Sequence, residues 1–128
     1  MIDHLGITVS KVSQATAFYA RALAPLGYSL IIEFTGEQAG GFIGAGFGVA
    51  PKPDFWISQG KPQVPPVHVA LRAANRAEVD AFYAAALAAG GRDNGRPGLR
   101  PHYHPSYYGA FVLDADGNNI EAVCHAPE

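Results

Sequence analysis

An α+β fold made of two βαβββ modules is predicted by three observations. The chain repeats itself at a shift of 64 residues without a gap. Each copy opens on a short strand-like run and continues into an alanine-rich helical run. Each then closes on three strand-like runs separated by Gly, Pro or Asp. Under the shift, "HLGITVSKVSQATAFYARALAPLGY" lies over "HVALRAANRAEVDAFYAAALAAGGR", so His4 falls on His68, Phe18-Tyr19 on Phe82-Tyr83, and Gly27 on Gly91. The shift is half of the 128 residues, which marks a duplicated module and not a solenoid.

The elements follow in order. "DHLGITVS" and "PVHVALRA" carry aliphatic or β-branched residues near alternate positions and read as strands. Ser10 and Asn75 offer N-cap side chains for the two helices, where Phe18 and Ala22, and Phe82 and Ala86, stand at i, i+4. Gly27 and Gly90-Gly91 fall where glycine ends a helix. "YSLIIEF", "GFIGAGFG" and "DFWIS" are three strands of the first module. The second has a weak strand near Arg92, a loop from Asn94 to Pro105, then "YYGAFVLD" and "NNIEAVC". Asp114, Asp116, Gly117 and Asn118 supply the turn between the last two. The proline-rich "GKPQVPP" holds the linker, giving one domain with module 1 at 1–60, linker 61–65 and module 2 at 66–128. In "GGFIGAGFG" the Walker Lys-Ser/Thr is absent, so its glycines point to close strand packing or a bulge.

Composition narrows the function classes. With 48% apolar and 16% charged residues, the chain reads as a soluble globular domain. A net charge of −2 without a basic run excludes a nucleic-acid footprint. No apolar run has the length of a membrane span, and "MIDHLGITVS" has no basic, apolar leader pattern. The one cysteine, Cys124, makes no internal disulfide and reads as a buried thiol, so a cytoplasmic setting is expected.

Glu121 lies inside the apolar run "AFVLDADGNNIEAVC", and a carboxylate there needs a positive or hydrogen-bonding partner. The repeat makes His4 and His68 equivalent positions on two opening strands. If the modules pair about a pseudo-twofold axis, two imidazoles and Glu121 form a 2-His-1-carboxylate set for a divalent metal. The plainer alternatives are hydrogen-bonded strand histidines and an exposed glutamate.

The doubled βαβββ unit, the openings "HLGITV" and "HVAL" and the closing "GAFVLDADGNNIEAV" resemble the vicinal oxygen chelate superfamily, which includes glyoxalase I, extradiol dioxygenases, fosfomycin-resistance transferases and bleomycin-binding proteins. The resemblance covers nearly all of the chain; the family form has Pro where Ala115 stands. It implies a sheet-lined cup with helices outside, a homodimer, and a metal held by His4, His68 and Glu121. Glyoxalase I usually adds a fourth ligand from the last strand of the first module. The ungapped shift puts Ile57 opposite Glu121, beside the poor ligands Phe55, Trp56 and Ser58, while Asp54 and Gln59 need a displaced register. A three-ligand site is therefore expected.

The resemblance implies a metal-dependent enzyme acting on a small molecule with vicinal oxygens, with Fe, Mn, Zn or Ni as cofactor. Ring opening with dioxygen, lyase or isomerase chemistry, and epoxide opening stay open. The alternative is a non-catalytic binding protein of bleomycin-resistance type. In "RPHYHPSYY", His104 and Tyr108 are the acid/base candidates, since imidazole exchanges protons near neutrality and phenol donates to an oxyanion. Trp56, Arg100, Tyr103 and Tyr107 are the substrate-binding candidates. Against this stands an aromatic loop packed on its own strand, with His102 and His104 too few to build a second metal site.

Overall fold

The computed structural model describes residues 1–128, with the side chain at position 39 outside the described set. Each half forms a four-stranded sheet. The first contains β1 (Leu5–Val9), β2 (Ser29–Thr35), β3 (Ile43–Val49) and β4 (Lys52–Gln59) in the order β1-β4-β3-β2. The second contains β5 (His68–Arg72), β6 (Arg92–Leu99), β7 (Tyr108–Leu113) and β8 (Asn119–Cys124) in the matching order β5-β8-β7-β6. In each, the opening strand runs parallel to the closing one and the other pairs are antiparallel. The repeat in the sequence is thus a repeat in topology.

Alternation decides which face each strand buries. Ile7, Val9, Ala45, Phe47, Phe55 and Ile57 face the core from the first sheet, as do Val69, Ala110, Val112, Ile120, Ala122 and Cys124 from the second. Helix α1 (Val12–Leu23) covers this side with Phe18, Tyr19, Ala22 and Leu23, and α2 (Arg76–Ala88) with Val79, Phe82 and Ala86. Both sets follow helical spacing. The helices also pack against each other, and one core cluster runs through both modules. Among the described residues no strand of one sheet pairs with a strand of the other.

The caps differ between the helices. Asn75 Oδ1 accepts from Glu78 N–H at 2.9 Å, and the Glu78 carboxylate accepts from Ala74 N–H at 2.8 Å, which satisfies two donors at the start of α2. Ser10 does not cap α1, contrary to expectation. The N-cap position is Lys11, and Gln59 Oε1 accepts from Val12 N–H at 2.9 Å. Ser10 is instead taken up by Asp116, to which its hydroxyl donates at 2.6 Å and its N–H at 3.0 Å. Beside this tie, Tyr19 O–H donates to the buried Asp114 at 2.5 Å. The β7–β8 turn therefore fastens the second module to the first.

The strand near Arg92 is longer than expected. It runs to Leu99 as the edge of its sheet, interrupted by register shifts between Asp93 and Gly98, so the loop shrinks to the residues between Leu99 and Tyr108. Gly and Pro in "RDNGRPGL" hide a strand whose irregularities sit at an edge, where they are tolerated.

The glycines of β3 point away from the core. A Cβ on Gly46 would stand 2.8 Å from Pro53 Cβ and 3.0 Å from the Trp56 ring, and one on Gly44 would stand 2.7 Å from the Phe42 ring. Bare backbone lets these rings lie over the strand. Gly46→Ala is expected to cost about 1–3 kcal/mol, as overpacking does, and to shift the emission of Trp56, the chain's one tryptophan. Urea unfolding followed by fluorescence checks both.

Candidate metal and ligand site

Glu121 stands in the middle of β8, in register with Ala70 on β5 and Phe111 on β7. It is 1% exposed. Its Oε1 lies 2.8 Å from His68 Nε2, and its Oε2 accepts the hydroxyl of Tyr107. These two groups are what the buried carboxylate meets. His68, at the start of β5, remains half exposed, so the pair opens toward solvent through the imidazole. Gly109 leaves room for the arrangement, since a Cβ there would lie 3.2 Å from the Tyr107 ring and 3.3 Å from Glu121 Oε2. Burial, then the hydrogen bond to Glu121 and its charge, push the Tyr107 phenol well above its ordinary value of 10.0. It is a proton donor throughout the physiological range.

The loop that carries Tyr107 closes on itself. Arg100 N–H donates to Tyr107 O at 2.7 Å, and Tyr107 N–H donates to His104 O at 3.1 Å. The Arg100 guanidinium donates to the carbonyls of Gly98 and Arg96 and lies 5.4 Å from the Phe111 ring centre. Its donors thus serve the loop. Tyr103 packs edge-on against Tyr107 with ring centres 4.8 Å apart, and His102 lies against Tyr103.

His104 is committed as well. Its Nδ1 accepts from Ser106 N–H at 3.0 Å, which assigns the proton of the neutral ring to Nε2. That Nε2 faces His125 Nδ1 at 2.5 Å. The two imidazoles stack, and Tyr107 packs perpendicular to them. His104 therefore braces the loop through His125 and leaves neither nitrogen free for acid/base work. Tyr108 points to the other side of its strand, where its hydroxyl donates to Asp80 at 2.7 Å. The structure does not bring Tyr108 to Glu121.

His4 stands on the first module, exposed, with Nδ1 2.7 Å from Asp3 Oδ1. The His4 contact, followed by Lys52, holds the Asp3 carboxyl below its ordinary value. His4 lines an open depression of about 460 Å³ with Gly6, Phe34, Phe42, Trp56 and Ser58. Within one chain it does not join His68 and Glu121: among the described residues no three His, Cys, Asp or Glu side chains gather as a metal-binding group. Cys124 is buried and free.

The pairing register revises one position. Gly6 pairs with Trp56 as Ala70 pairs with Glu121, and Gly6 and Ala70 are equivalent under the repeat. The structural counterpart of Glu121 is thus Trp56, and not Ile57, which faces the core. Gly46, the partner of Trp56, and Phe111, the partner of Glu121, each stand ten positions before that residue, so the two hairpins match; the first module is one residue shorter ahead of β3, and this slips the ungapped alignment. An aromatic ring therefore occupies the strand position where a fourth ligand would project.

The profile of the Glyoxalase/Bleomycin resistance protein/Dioxygenase superfamily matches residues 1–122. The chain belongs to this superfamily. Among solved structures, a glyoxalase/bleomycin resistance protein from Albidiferax ferrireducens is 24% identical, with a TM-score of 0.75 over 95% of this chain and 96% of that one. A glyoxylase/bleomycin resistance protein/dioxygenase domain from Frankia is 14% identical, with a TM-score of 0.72 over 97% and 96%. A mutant of the fosfomycin resistance protein FosX from Listeria monocytogenes, complexed with Mn(II) and 1S,2S-dihydroxypropylphosphonic acid, is 17% identical, with a TM-score of 0.72 over 97% and 91%. At these identities the likeness is one of fold. No curated protein matches the chain. Among the described residues no helix is long and apolar enough to cross a membrane.

The sequence reading passed over Phe34, Phe42 and His125. Phe34 and Phe42 come from β2 and from the residue before β3, and they meet Trp56 only once the sheet forms. His125 follows β8 and reaches His104 across 21 residues of chain. The alternation of "YSLIIEF" could have placed Phe34 on the open face, but nothing local signals the other two.

Proposed function

We propose that the protein is a divalent-metal-dependent enzyme acting on a small molecule with two adjacent oxygens. Each site would be shared by two copies: His68 and Glu121 from one, His4 from the other. The observation that carries this reading is the Glu121 carboxylate, buried in an apolar strand with one oxygen beside an imidazole nitrogen and the other bound by a phenol. The donor set suits iron, manganese, zinc or nickel. Two ligands on one chain leave a set that the equivalent histidine of a second copy completes, and three protein ligands keep coordination positions open for substrate.

A bound cation would supply Lewis acidity to adjacent substrate oxygens and stabilise the negative charge developing on them. The chain's own residues set the geometry. Tyr107 occupies Glu121 Oε2, which leaves Oε1 as the oxygen that faces His68. Gly109 keeps the space under that contact open, and the His104–His125 pair holds the loop that delivers Tyr107. Such outer partners orient a ligand carboxylate and raise its affinity. Tyr107→Phe is expected to weaken metal binding by about 10–100-fold with the fold retained; chelator competition followed by circular dichroism checks this.

The test of the function is metal reconstitution under anaerobic conditions followed by a panel of catechols, α-ketoaldehyde–thiol adducts and epoxides. Turnover that requires metal and is lost in His68→Ala supports the reading. A second reading, ligand sequestration without catalysis, draws on the aromatic face beside His4. Metal-free protein that binds its ligand unchanged and turns nothing over would establish it.

A further inference from the structure

We infer that the depression beside His4 selects ligands by a flat, uncharged ring, so that the substrate carries a planar aromatic or conjugated system. Phe34 and Trp56 stand nearly parallel, 13° apart with ring centres separated by 6.3 Å. Phe42 stands edge-on to both, at 5.8 Å from Phe34 and 6.2 Å from Trp56. The glycines of β3 form the floor beneath Phe42 and Trp56. This three-ring wall has no role in the core: Phe42 is 37% exposed, and the core cluster lies on the opposite face of the sheet.

Charge selects among the ligands such a wall can take. Among the described residues no Lys, Arg, Asp or Glu lines the depression, so an anionic group such as a phosphonate finds no partner there. Aromatic faces do attract quaternary ammonium ions. His4 shares this depression, however, and a divalent cation held there repels a second positive charge. A neutral ring fits both constraints, gaining apolar burial and ring–ring contact without opposing the metal. The position of Trp56, where the second module has Glu121, points the same way: one module offers a ligand atom and the other a flat surface. The inference rests on the proposed metal site for where the ligand's oxygens go and for the exclusion of cationic ligands; the aromatic wall and its lack of charged side chains stand without it.

Trp56 is the only tryptophan and reports on the depression directly. The experiment titrates catechol, trans-cyclohexane-1,2-diol, 1,2-dihydroxypropylphosphonate and tetramethylammonium against chelator-treated and metal-reconstituted protein, reading Trp56 emission and, in parallel, heat. Catechol and the cyclohexanediol present two adjacent oxygens, and only the first is flat. Catechol is expected to bind at least about tenfold more tightly than the diol, the factor that ring contact of roughly 1.4 kcal/mol gives. Phe42→Leu is expected to remove most of that preference while metal content and circular dichroism stay unchanged. Equal affinities for catechol and the diol, or preference for the phosphonate or the ammonium ion, would overturn the inference even in protein that holds metal. Selective catechol binding in protein that never takes up metal would support it and sink the metal reading alone. Emission that shifts with protein concentration and bars all four probes would show a second copy seated on the wall, and would also overturn it.

Discussion

Chains carrying His4→Ala and chains carrying Glu121→Gln are each expected to lose stoichiometric metal, and mixed pairs of the two are expected to regain one ion per pair. The first substitution removes the proposed ligand beside the exposed start of β1. The second is isosteric: the amide oxygen still accepts from Tyr107 while the charge is lost. Affinity should fall by more than about 100-fold in either variant, beyond what loss of an outer-shell partner costs. If sites are shared, co-expressed chains with different tags bring one undamaged His4 to one undamaged His68–Glu121 pair, and the second site carries both lesions. If each chain builds its site alone, no mixture recovers metal. Metal analysis of the doubly tagged pair separates the two outcomes, and pairs that form without metal would rule out the shared site.

Asp114→Ala is expected to cost at least about 3 kcal/mol, a large part of the stability of a domain of this size. The Asp114 carboxylate accepts from Asp116 N–H, Asn118 N–H, the Asn118 side-chain amide and the Tyr19 hydroxyl. Asp114 and Tyr19 are buried, so their polar atoms have no water to replace these partners. Tyr19→Phe removes one donor and should cost about 1–3 kcal/mol. It also carries a pH signature. Burial, followed by the Asp114 charge and hydrogen bond, raises the Tyr19 phenol well above its ordinary value of 10.0. A group raised on folding contributes fully below its unfolded value and loses that contribution as pH climbs toward the folded one. Wild-type stability should therefore fall as pH rises past 10.0, and the Tyr19→Phe chain should fall less steeply over the same range. Urea midpoints between neutral and alkaline pH measure the difference.

What the sequence made legible was what depends on local pattern or on the repeat. The shared order of strand, helix and three strands, the Asn75 cap and the β7–β8 turn all rest on residues close in sequence. His68 and Glu121 could be singled out from the repeat and the family resemblance, and the parallel pairing of β5 with β8 is what brings them together. Contacts made across the molecule were hidden. Ser10 looked like a cap until Asp116 claimed it from the other module. His104 looked like a free imidazole until His125 took its Nε2. The counterpart of Glu121 was misplaced by one residue because an ungapped comparison cannot see that the first module is one residue shorter ahead of β3. In a strand one residue is the difference between faces, so that slip exchanged Trp56 for the buried Ile57.

That one-residue offset between the modules sets two proposed roles against each other. If the proposed site holds, a carboxylate at position 56 would tighten the grip on a cation and, by the same stroke, take an aromatic ring from the face beside His4. Under that proposal the two halves of the duplication cannot converge again without giving up one of the two roles. Variants selected for stronger ion retention should drift toward indiscriminate or absent turnover, and the strand that opposes Gly6 is where that drift would first be seen.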